Sequence, residues 1–213
     1  MTAIDHVFVL SRDRAGLEAR LGRAGLVPSF RRAHPGQGTS NLCYCFDDGY
    51  LELLSIDDPG AERDPQVART GLIARGSGAP GVCPYGIAWR DGPEPPLAVE
   101  TWDYAAPFLP PGVAIPVALE SLDPAAPFLF RSPDTAPPAE WTDGRQGEIQ
   151  RAAGLTRILW VGLTHPAAFR PGPTLLRLAE RTCLRLTAGG GWSLELGIER
   201  PGGGGPLVLE DII

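Results

Sequence analysis

The order of the predicted strands and helices in the first 57 residues constrains the fold most strongly. Apolar periodicity predicts a strand at 4–10, an amphipathic helix at 14–25, and further strands at 28–33, 39–46 and 49–56. A βαβββ unit of this size cannot close a core alone. The end of the chain repeats the order, with a strand at 156–164, a helix at 173–181, and strands at 182–187, 192–199 and 206–212. We therefore expect units of this kind to pair with each other.

Composition and pattern divide the chain into four segments: a βαβββ unit (1–57), a polar connector (58–81), a central βαββ-like unit with a proline-rich loop (82–150), and a βαβββ-like unit (151–213). In the central unit we expect a strand at 85–90, a helix near 96–105, and strands at 113–120 and 127–131. Residues 202–205 predict a flexible hairpin loop. The predicted fold class is α+β, with paired βαβββ units forming a curved, mostly antiparallel sheet around a central cavity. Either later unit can be the partner of the first.

Composition excludes several classes of function. The 213 residues are 43% hydrophobic and 21% charged, which is ordinary for a soluble globular protein. A net charge of −6 gives no electrostatic attraction to nucleic acid or to an anionic membrane. The chain has neither an apolar stretch of about 20 residues nor a basic and apolar leader, so we expect a cytoplasmic protein. Its richness in Arg, Ala, Gly and Pro is typical of a GC-rich bacterial genome.

The residue types and motifs of the sequence also exclude several cofactors. All 19 basic residues are arginine, which excludes a lysine Schiff base within this chain. The sequence contains no phosphate-binding loop, nucleophile elbow or paired-carboxylate motif. We therefore expect neither a nucleotide nor a pyridoxal phosphate cofactor.

Two polar residues, His6 and Glu52, stand inside apolar runs that otherwise predict buried strands. Burying such a side chain costs a few kcal/mol unless it finds a partner. One lies in the first strand of the βαβββ unit and the other in the last. We therefore expect the two side chains to meet and form a site.

Further candidates lie between these two residues. The strand 39–46 alternates, so that Thr39, Asn41, Cys43 and Cys45 share one face and Ser40, Leu42, Tyr44 and Phe46 the other. The second set is more apolar and should pack against the helix, which leaves the first set on the cavity side with His6 and Glu52. His34 lies in a glycine-rich loop, where it either caps a turn or takes part in acid–base chemistry. Free cysteines are more often buried small hydrophobes than reactive groups.

The unit that opens with Ile4-Asp5-His6-Val7 and closes with Tyr50-Leu51-Glu52-Leu53 resembles the vicinal oxygen chelate superfamily, and His34 to Asn41 resembles its glyoxalase-like branch. The resemblance implies that a divalent metal (Mn, Fe, Ni or Zn) is held by His6 and Glu52. Either Glu195, if residues 151–213 are the partner, or His34 completes the ligand set. It also implies catalytic roles for Glu52 and His34. We expect Thr39, Asn41, Cys43, Cys45 and Tyr85 to bind the substrate.

The second half of such a metal site is absent from the expected positions, since neither Tyr85-Gly86-Ile87 nor Phe128-Leu129-Phe130 supplies a His or Glu. Two functions follow from the resemblance. The first is a metalloenzyme, either a lyase or isomerase or a dioxygenase, whose metal chelates neighbouring oxygens of a small substrate and stabilises an enolate-type anion. The second is a metal-free protein that binds a small molecule in the same cavity. A scaffold without chemistry ranks third, and a homodimer is compatible with each.

Overall fold

The computed structural model describes residues 1–200, 202, 205–210 and 212. Four α-helices lie in this part of the chain, namely α1 (Arg14–Arg23), α2 (Pro65–Thr70), α3 (Leu72–Arg75) and α4 (Pro173–Arg181). The strands described there are β1 (Ala3–Leu10), β2 (Phe30–His34), β3 (Thr39–Cys45), β4 (Tyr50–Ile56), β5 (Tyr85–Arg90), β6 (Thr101–Tyr104), β7 (Ile115–Ala118), β8 (Phe128–Arg131), β9 (Ile158–Pro166), β10 (Leu184–Gly189), β11 (Ser193–Ile198) and β12 (Leu207–Leu209). The predicted α+β fold class is confirmed.

The first eight strands form one mixed sheet in the order β2-β3-β4-β1-β5-β8-β7-β6. Its two halves have the same plan: β1 pairs in parallel with β4, and β5 pairs in parallel with β8. The halves join where β1 and β5 run antiparallel. The partner of the N-terminal unit is therefore the segment from β5 to β8.

The second half of this sheet has no crossover helix between its first two strands. Residues 101–104, predicted as part of a helix near 96–105, form β6 instead, so that part of the prediction is wrong. The strand follows from alternating burial, in which Trp102 and Tyr104 are buried while Thr101 and Asp103 are exposed. Prolines at 93, 95 and 96 also oppose a helix in the preceding segment.

The C-terminal strands form a separate sheet in the order β10-β9-β11-β12, with α4 between β9 and β10. The element order βαβββ is the predicted one. The pairing differs from that of the N-terminal unit, because β9 lies directly beside β10 in parallel, whereas β1 lies beside the last strand of its unit. The predicted glycine-rich hairpin loop at 202–205 includes residues 203 and 204, which lie outside the described residues.

The C-terminal sheet covers one face of the eight-stranded sheet. A single apolar cluster joins residues of β1, β5 and β8, such as Val7, Ile87 and Leu129, with Leu163 of β9 and Leu194 of β11. The same cluster contains the buried residues of α1 and α4. We call this side of the large sheet the helix face and the opposite side the cavity face.

Strand β3 shows how alternation separates the two faces. Leu42 and Tyr44 belong to the cluster on the helix face, together with Leu17 and Leu21 of α1. Cys43 and Cys45 belong to a different cluster with Tyr50 and Trp141. The predicted division of residues 39–46 between two faces is therefore confirmed.

Candidate functional site

The cavity face holds a pocket of about 420 Å³. This volume lies in the range of roughly 300–1,000 Å³ that is typical of small-molecule sites. Its wall combines aromatic rings from both halves of the sheet with polar groups from the N-terminal unit. The residues that line it include His6, Phe8, Phe30, Arg32, His34, Asn41, Tyr50, Glu52, Leu54, Tyr104, Phe108, Phe128, Phe130 and Trp141.

The structure brings His6 and Glu52 together in this pocket. Their strands run in parallel, with His6 beside Tyr50 and Phe8 beside Glu52, so both side chains point to the cavity face. Nε2 of His6 lies 3.6 Å from Oε2 of Glu52. Both side chains are buried. The imidazole ring also stacks on Tyr50, with 4.2 Å between the ring centroids.

Asp5 and Arg90 support His6 from behind. Nδ1 of His6 lies 2.7 Å from Oδ2 of Asp5, and Arg90 forms an ion pair with the same carboxylate. Adjacent strand residues normally point to opposite faces, but the pairing of β1 with β5 shifts register between Ile4 and His6, which brings Asp5 within reach of the imidazole. Because a carboxylate only accepts hydrogen bonds, Nδ1 donates to it, and in neutral His6 the lone pair is on Nε2 and faces Glu52.

The ionised form of Asp5 is favoured at this position. Asp5 is fully buried, which by itself raises the pKa of its carboxyl. The hydrogen bond from His6, the charges of His6 and Arg90, and a hydrogen bond from Ser132 outweigh burial, and the net effect lowers the pKa of Asp5. Sequence reasoning missed both Asp5 and Arg90. Asp5 could have been found by the criterion that identified His6, since it too is a polar residue in an apolar strand.

A chain of hydrogen bonds continues from Glu52 along β3 and β2. Asn41 donates from Nδ2 to Oε1 of Glu52 at 2.6 Å, and the same nitrogen lies 3.4 Å from Nε2 of His34. Nδ1 of His34 lies 2.8 Å from Oγ1 of Thr39. Burial lowers the pKa of His34, which favours the neutral ring. These bonds fix the orientation of the Glu52 carboxylate and of the His34 ring.

The hydrogen bonds continue across the cavity to the second half of the large sheet. Gln37 donates from Nε2 to Oγ1 of Thr39 at 2.8 Å, and its Oε1 accepts from the hydroxyl of Tyr104 on β6 at 2.8 Å. The polar side of the pocket is therefore a hydrogen-bonded network from Tyr104 to Glu52, which a 3.6 Å gap separates from the group of His6, Asp5 and Arg90. Networks of this kind hold their members in one arrangement because each depends on its neighbours. Gln37 and Tyr104 were not predicted, since nothing local in the sequence distinguishes them.

Other predicted site residues lie close to the pocket without lining it. Thr39 is buried behind His34 and binds its ring nitrogen. Cys43 and Cys45 lie on the cavity face but pack with Tyr50 and Trp141. Burial raises the pKa of the Cys43 thiol well above its usual range and that of Cys45 to about 12, so neither is a ready thiolate.

The structure does not bring Tyr85 or Glu195 to the pocket. Tyr85 lies on the helix face in the cluster that joins the two sheets. Gly86 lies on the cavity face instead of Tyr85, because neighbouring residues of a strand point to opposite sides of the sheet. Glu195 lies on β11 beside Gly162, in the C-terminal sheet behind the large one. It is not part of the pocket wall that contains His6 and Glu52.

The second half of the cavity face carries apolar groups where the resemblance calls for metal ligands. Gly86 pairs with Phe128 and Ala88 with Phe130, so these four residues occupy the part of β5 and β8 that corresponds to His6 and Glu52, and none of their side chains can ligate a metal. A Cβ added to Gly86 would lie 2.1 Å from Cε1 of Phe8, so the Phe8 ring fills the space that a ligating side chain would need. The Phe130 ring stands edge-on to His6 at 5.3 Å between centroids.

These residues do not fit the complete metal site that the resemblance implies. No group of three or more His, Cys, Asp and Glu side chains is arranged to bind a metal within the residues that the structure describes. His6 and Glu52 supply two donor atoms, and the opposite wall supplies aromatic carbon. Sites with two protein ligands bind a metal less firmly than the three or four ligands of established zinc sites.

Comparison with known protein families gives a match to the first part of the chain. A family model described as a glyoxalase-like domain matches residues 4–95, which run from β1 through β5. Searches of curated proteins and of solved structures gave no match. Among the described residues, no helix is long and apolar enough to cross a membrane. Residues 4–95 of this chain are therefore similar to the glyoxalase-like domains of the vicinal oxygen chelate superfamily.

Proposed function

We propose that the protein binds a small molecule with a large apolar part in the cavity and does so without a resident metal ion. The observation that carries the proposal is that the cavity-face residues Gly86, Ala88, Phe128 and Phe130 of β5 and β8 cannot ligate a metal. Phe8 and Phe128 lie beside Phe130, with 6.3 and 5.6 Å between the ring centroids. Aromatic walls of this kind favour an apolar or aromatic ligand, because burying its surface removes apolar area from water.

The supporting experiment measures ligand binding in the absence of metal. A set of neutral, anionic and cationic aromatic compounds is titrated against wild type by ligand-observed NMR, with and without EDTA. We expect at least one class to bind, with an affinity that EDTA does not change. Ile115→Trp places a large ring at a half-buried position on the cavity wall and should weaken binding at least tenfold. Leu159→Trp, at a position that is 44% exposed on β9, is the matched control and should leave binding unchanged.

The second candidate is a metal-dependent enzyme of the vicinal oxygen chelate kind. The hydrogen bond that Nδ1 of His6 donates to Asp5 favours it, because ligating histidines commonly bond a carboxylate through the second ring nitrogen. In that case His6 and Glu52 would be the protein ligands, and the metal would act as a Lewis acid.

Elemental analysis separates the two candidates. Wild type and Glu52→Gln are incubated with Mn, Fe, Ni or Zn, desalted and assayed for bound metal. The proposal predicts less than stoichiometric metal in both proteins. One metal ion per chain in wild type, lost in Glu52→Gln, would contradict it and establish the metal-dependent candidate. The proposal would also be contradicted if no aromatic compound bound to either protein in the NMR titration.

A further inference from the structure

One cation on the cavity wall, Arg32, has no carboxylate partner among the described residues. Arg31 forms an ion pair with Glu18 of α1 at 2.6 Å, and Arg145 binds Asp134 and Asp143 at 2.8 and 3.1 Å. Arg32 forms no ion pair or hydrogen bond with any residue that the structure describes, although it lines the pocket. An arginine that faces a pocket and lacks an internal carboxylate is well suited to bind a carboxylate of a ligand.

Arg32 lies among residues that line the pocket. It lies on β2 between Phe30 and His34, both of which line the pocket. Its Cζ lies 5.5 Å from the centroid of the Phe108 ring, and that ring stacks on His34 at 4.5 Å. The Phe108 ring limits where the long side chain can go, so a guanidinium held there loses less conformational freedom when it binds an anion.

At the opposite end of the polar wall, two buried polar atoms face each other without a hydrogen bond between them. Oε2 of Glu52 and Nε2 of His6 face each other at 3.6 Å, and both are acceptors when the His6 proton is on Nδ1. The 3.6 Å separation is also longer than an ordinary hydrogen bond. A hydroxyl or amino group of a ligand would satisfy acceptors that otherwise face each other.

The two ends lie at a distance that suits one aromatic ring with a short side chain. Arg32 pairs with Asn41 and Asn41 with Leu54, so Glu52 is two strands and two residues away from Arg32. Strand spacing of about 4.8 Å and a rise of about 3.4 Å per residue put the two Cα atoms about 12 Å apart. Phe8, Phe128 and Phe130 supply the apolar wall of the pocket.

We infer that the ligand is an aromatic carboxylic acid that bears a hydroxyl or amino group at its far end. The carboxylate binds Arg32, the ring lies against the phenylalanines, and the donor group binds between His6 and Glu52. This inference rests on the proposed metal-free binding and adds the chemical class of the ligand.

The anionic end is tested with two probes that differ only in charge. 3-(4-Hydroxyphenyl)propanoate and its methyl ester are titrated calorimetrically against wild type, Arg32→Met and Arg31→Met. Wild type should bind the acid at least about tenfold more tightly than the ester, the ratio expected for one hydrogen bond to a charged group. Arg32→Met should abolish that ratio and leave the affinity for the ester within about twofold. Arg31→Met, the neighbour whose charge is paired with Glu18, should keep the ratio.

The donor end is tested with 3-phenylpropanoate, which lacks the hydroxyl group. Wild type should bind it about tenfold more weakly than the hydroxylated acid. Glu52→Met, which removes the acceptor oxygens at similar length, should abolish that difference. If Glu52→Met does not fold, the comparison of the two acids on wild type decides this end alone.

The results distinguish this inference from the proposal beneath it. Equal binding of acid and ester by wild type, or a ratio that survives Arg32→Met, would overturn the inference. The same holds if 3-phenylpropanoate binds as tightly as the hydroxylated acid. If these three probes fail while other aromatic compounds bind in a way that Ile115→Trp blocks, the inference fails and the proposed function stands. If nothing binds, both fail.

Discussion

The buried Asp5 carboxylate controls the orientation of His6, and its own position depends on Arg90. We predict that Asp5→Asn lowers the free energy of unfolding by about 3 kcal/mol, because it leaves the buried Arg90 guanidinium without a counter-charge. Urea denaturation measures the change. The matched control is Asp91→Asn, which breaks a more exposed pair with Arg131 and should cost less than about 1 kcal/mol. Equal losses in the two variants would show that the Asp5 pair adds nothing beyond a surface ion pair.

His34 gives the pH dependence of stability a defined sign. Burial lowers the pKa of His34 below its ordinary value of 6.5, so the unfolded chain takes up this proton at a higher pH than the folded protein does. Stability therefore falls as pH drops below about 6.5, until the folded protein is protonated as well. We predict that wild type loses more unfolding free energy than His34→Gln between pH 7.5 and pH 5.5. Parallel pH profiles for the two proteins in urea titrations would exclude this role.

At the residue scale, the sequence predicts isolated polar residues better than their partners. His6 and Glu52 were predictable because each interrupts an apolar strand. Arg90 was not, since it is 85 positions away from Asp5 in sequence and meets it only through the antiparallel pairing of β1 with β5. Tyr104 and Gln37 meet in the same way, across the two halves of the sheet.

At the scale of elements, the pairing of β1 with β5 leaves no room for a side chain at Gly86 on the cavity face. Phe8 lies across Gly86, where an added Cβ would be 2.1 Å from the ring. The ring has little room to move, because it is buried beside Phe128 and Phe130. We predict that Gly86→Ala lowers the free energy of unfolding by about 2 kcal/mol through overpacking.

A double-mutant cycle with Phe8→Ala tests that cause. If the clash with the ring is responsible, Gly86→Ala should cost far less in the Phe8→Ala background, with a coupling of at least about 1 kcal/mol. Gly22→Ala on α1, where an added Cβ meets nothing within 4 Å, is the control and should not destabilise. A cost of Gly86→Ala that is the same in both backgrounds would place its origin in the backbone.

The type of each element was predictable where the apolar period was clear. The prediction failed at 96–105, where prolines and a short alternating segment stood side by side. The segment around β3 followed its alternation on both faces. The four residues of β6 were too few for their alternation of exposed and buried side chains to stand out beside the preceding residues 97–100, which favoured a helix. The C-terminal unit had its predicted element order, but order alone does not determine which strand lies next to which.

At the scale of the whole molecule, the C-terminal sheet and α4 complete the core that the second half of the large sheet cannot complete without a crossover helix. The cluster on the helix face is shared, since Trp89 and Leu129 of the large sheet pack in it with Leu194 and Leu196 of the small one. Backbone contacts add to it: Asp47 donates from its amide to the carbonyl of Thr156 at 2.7 Å. A shared core implies that the two sheets unfold together.

We therefore predict one cooperative unfolding transition that a C-terminal core substitution shifts as a whole. Leu194 is fully buried, and Leu194→Ala should lower the free energy of unfolding by about 3 kcal/mol because it leaves a cavity in the shared cluster. Tryptophan fluorescence and far-UV circular dichroism should report the same shifted midpoint, with Leu159→Ala at an exposed position on β9 as the control. Two separate transitions, of which only one moves, would show that the large sheet holds its cavity without the C-terminal sheet. A coincident shift would make the cavity dependent on residues that do not line it.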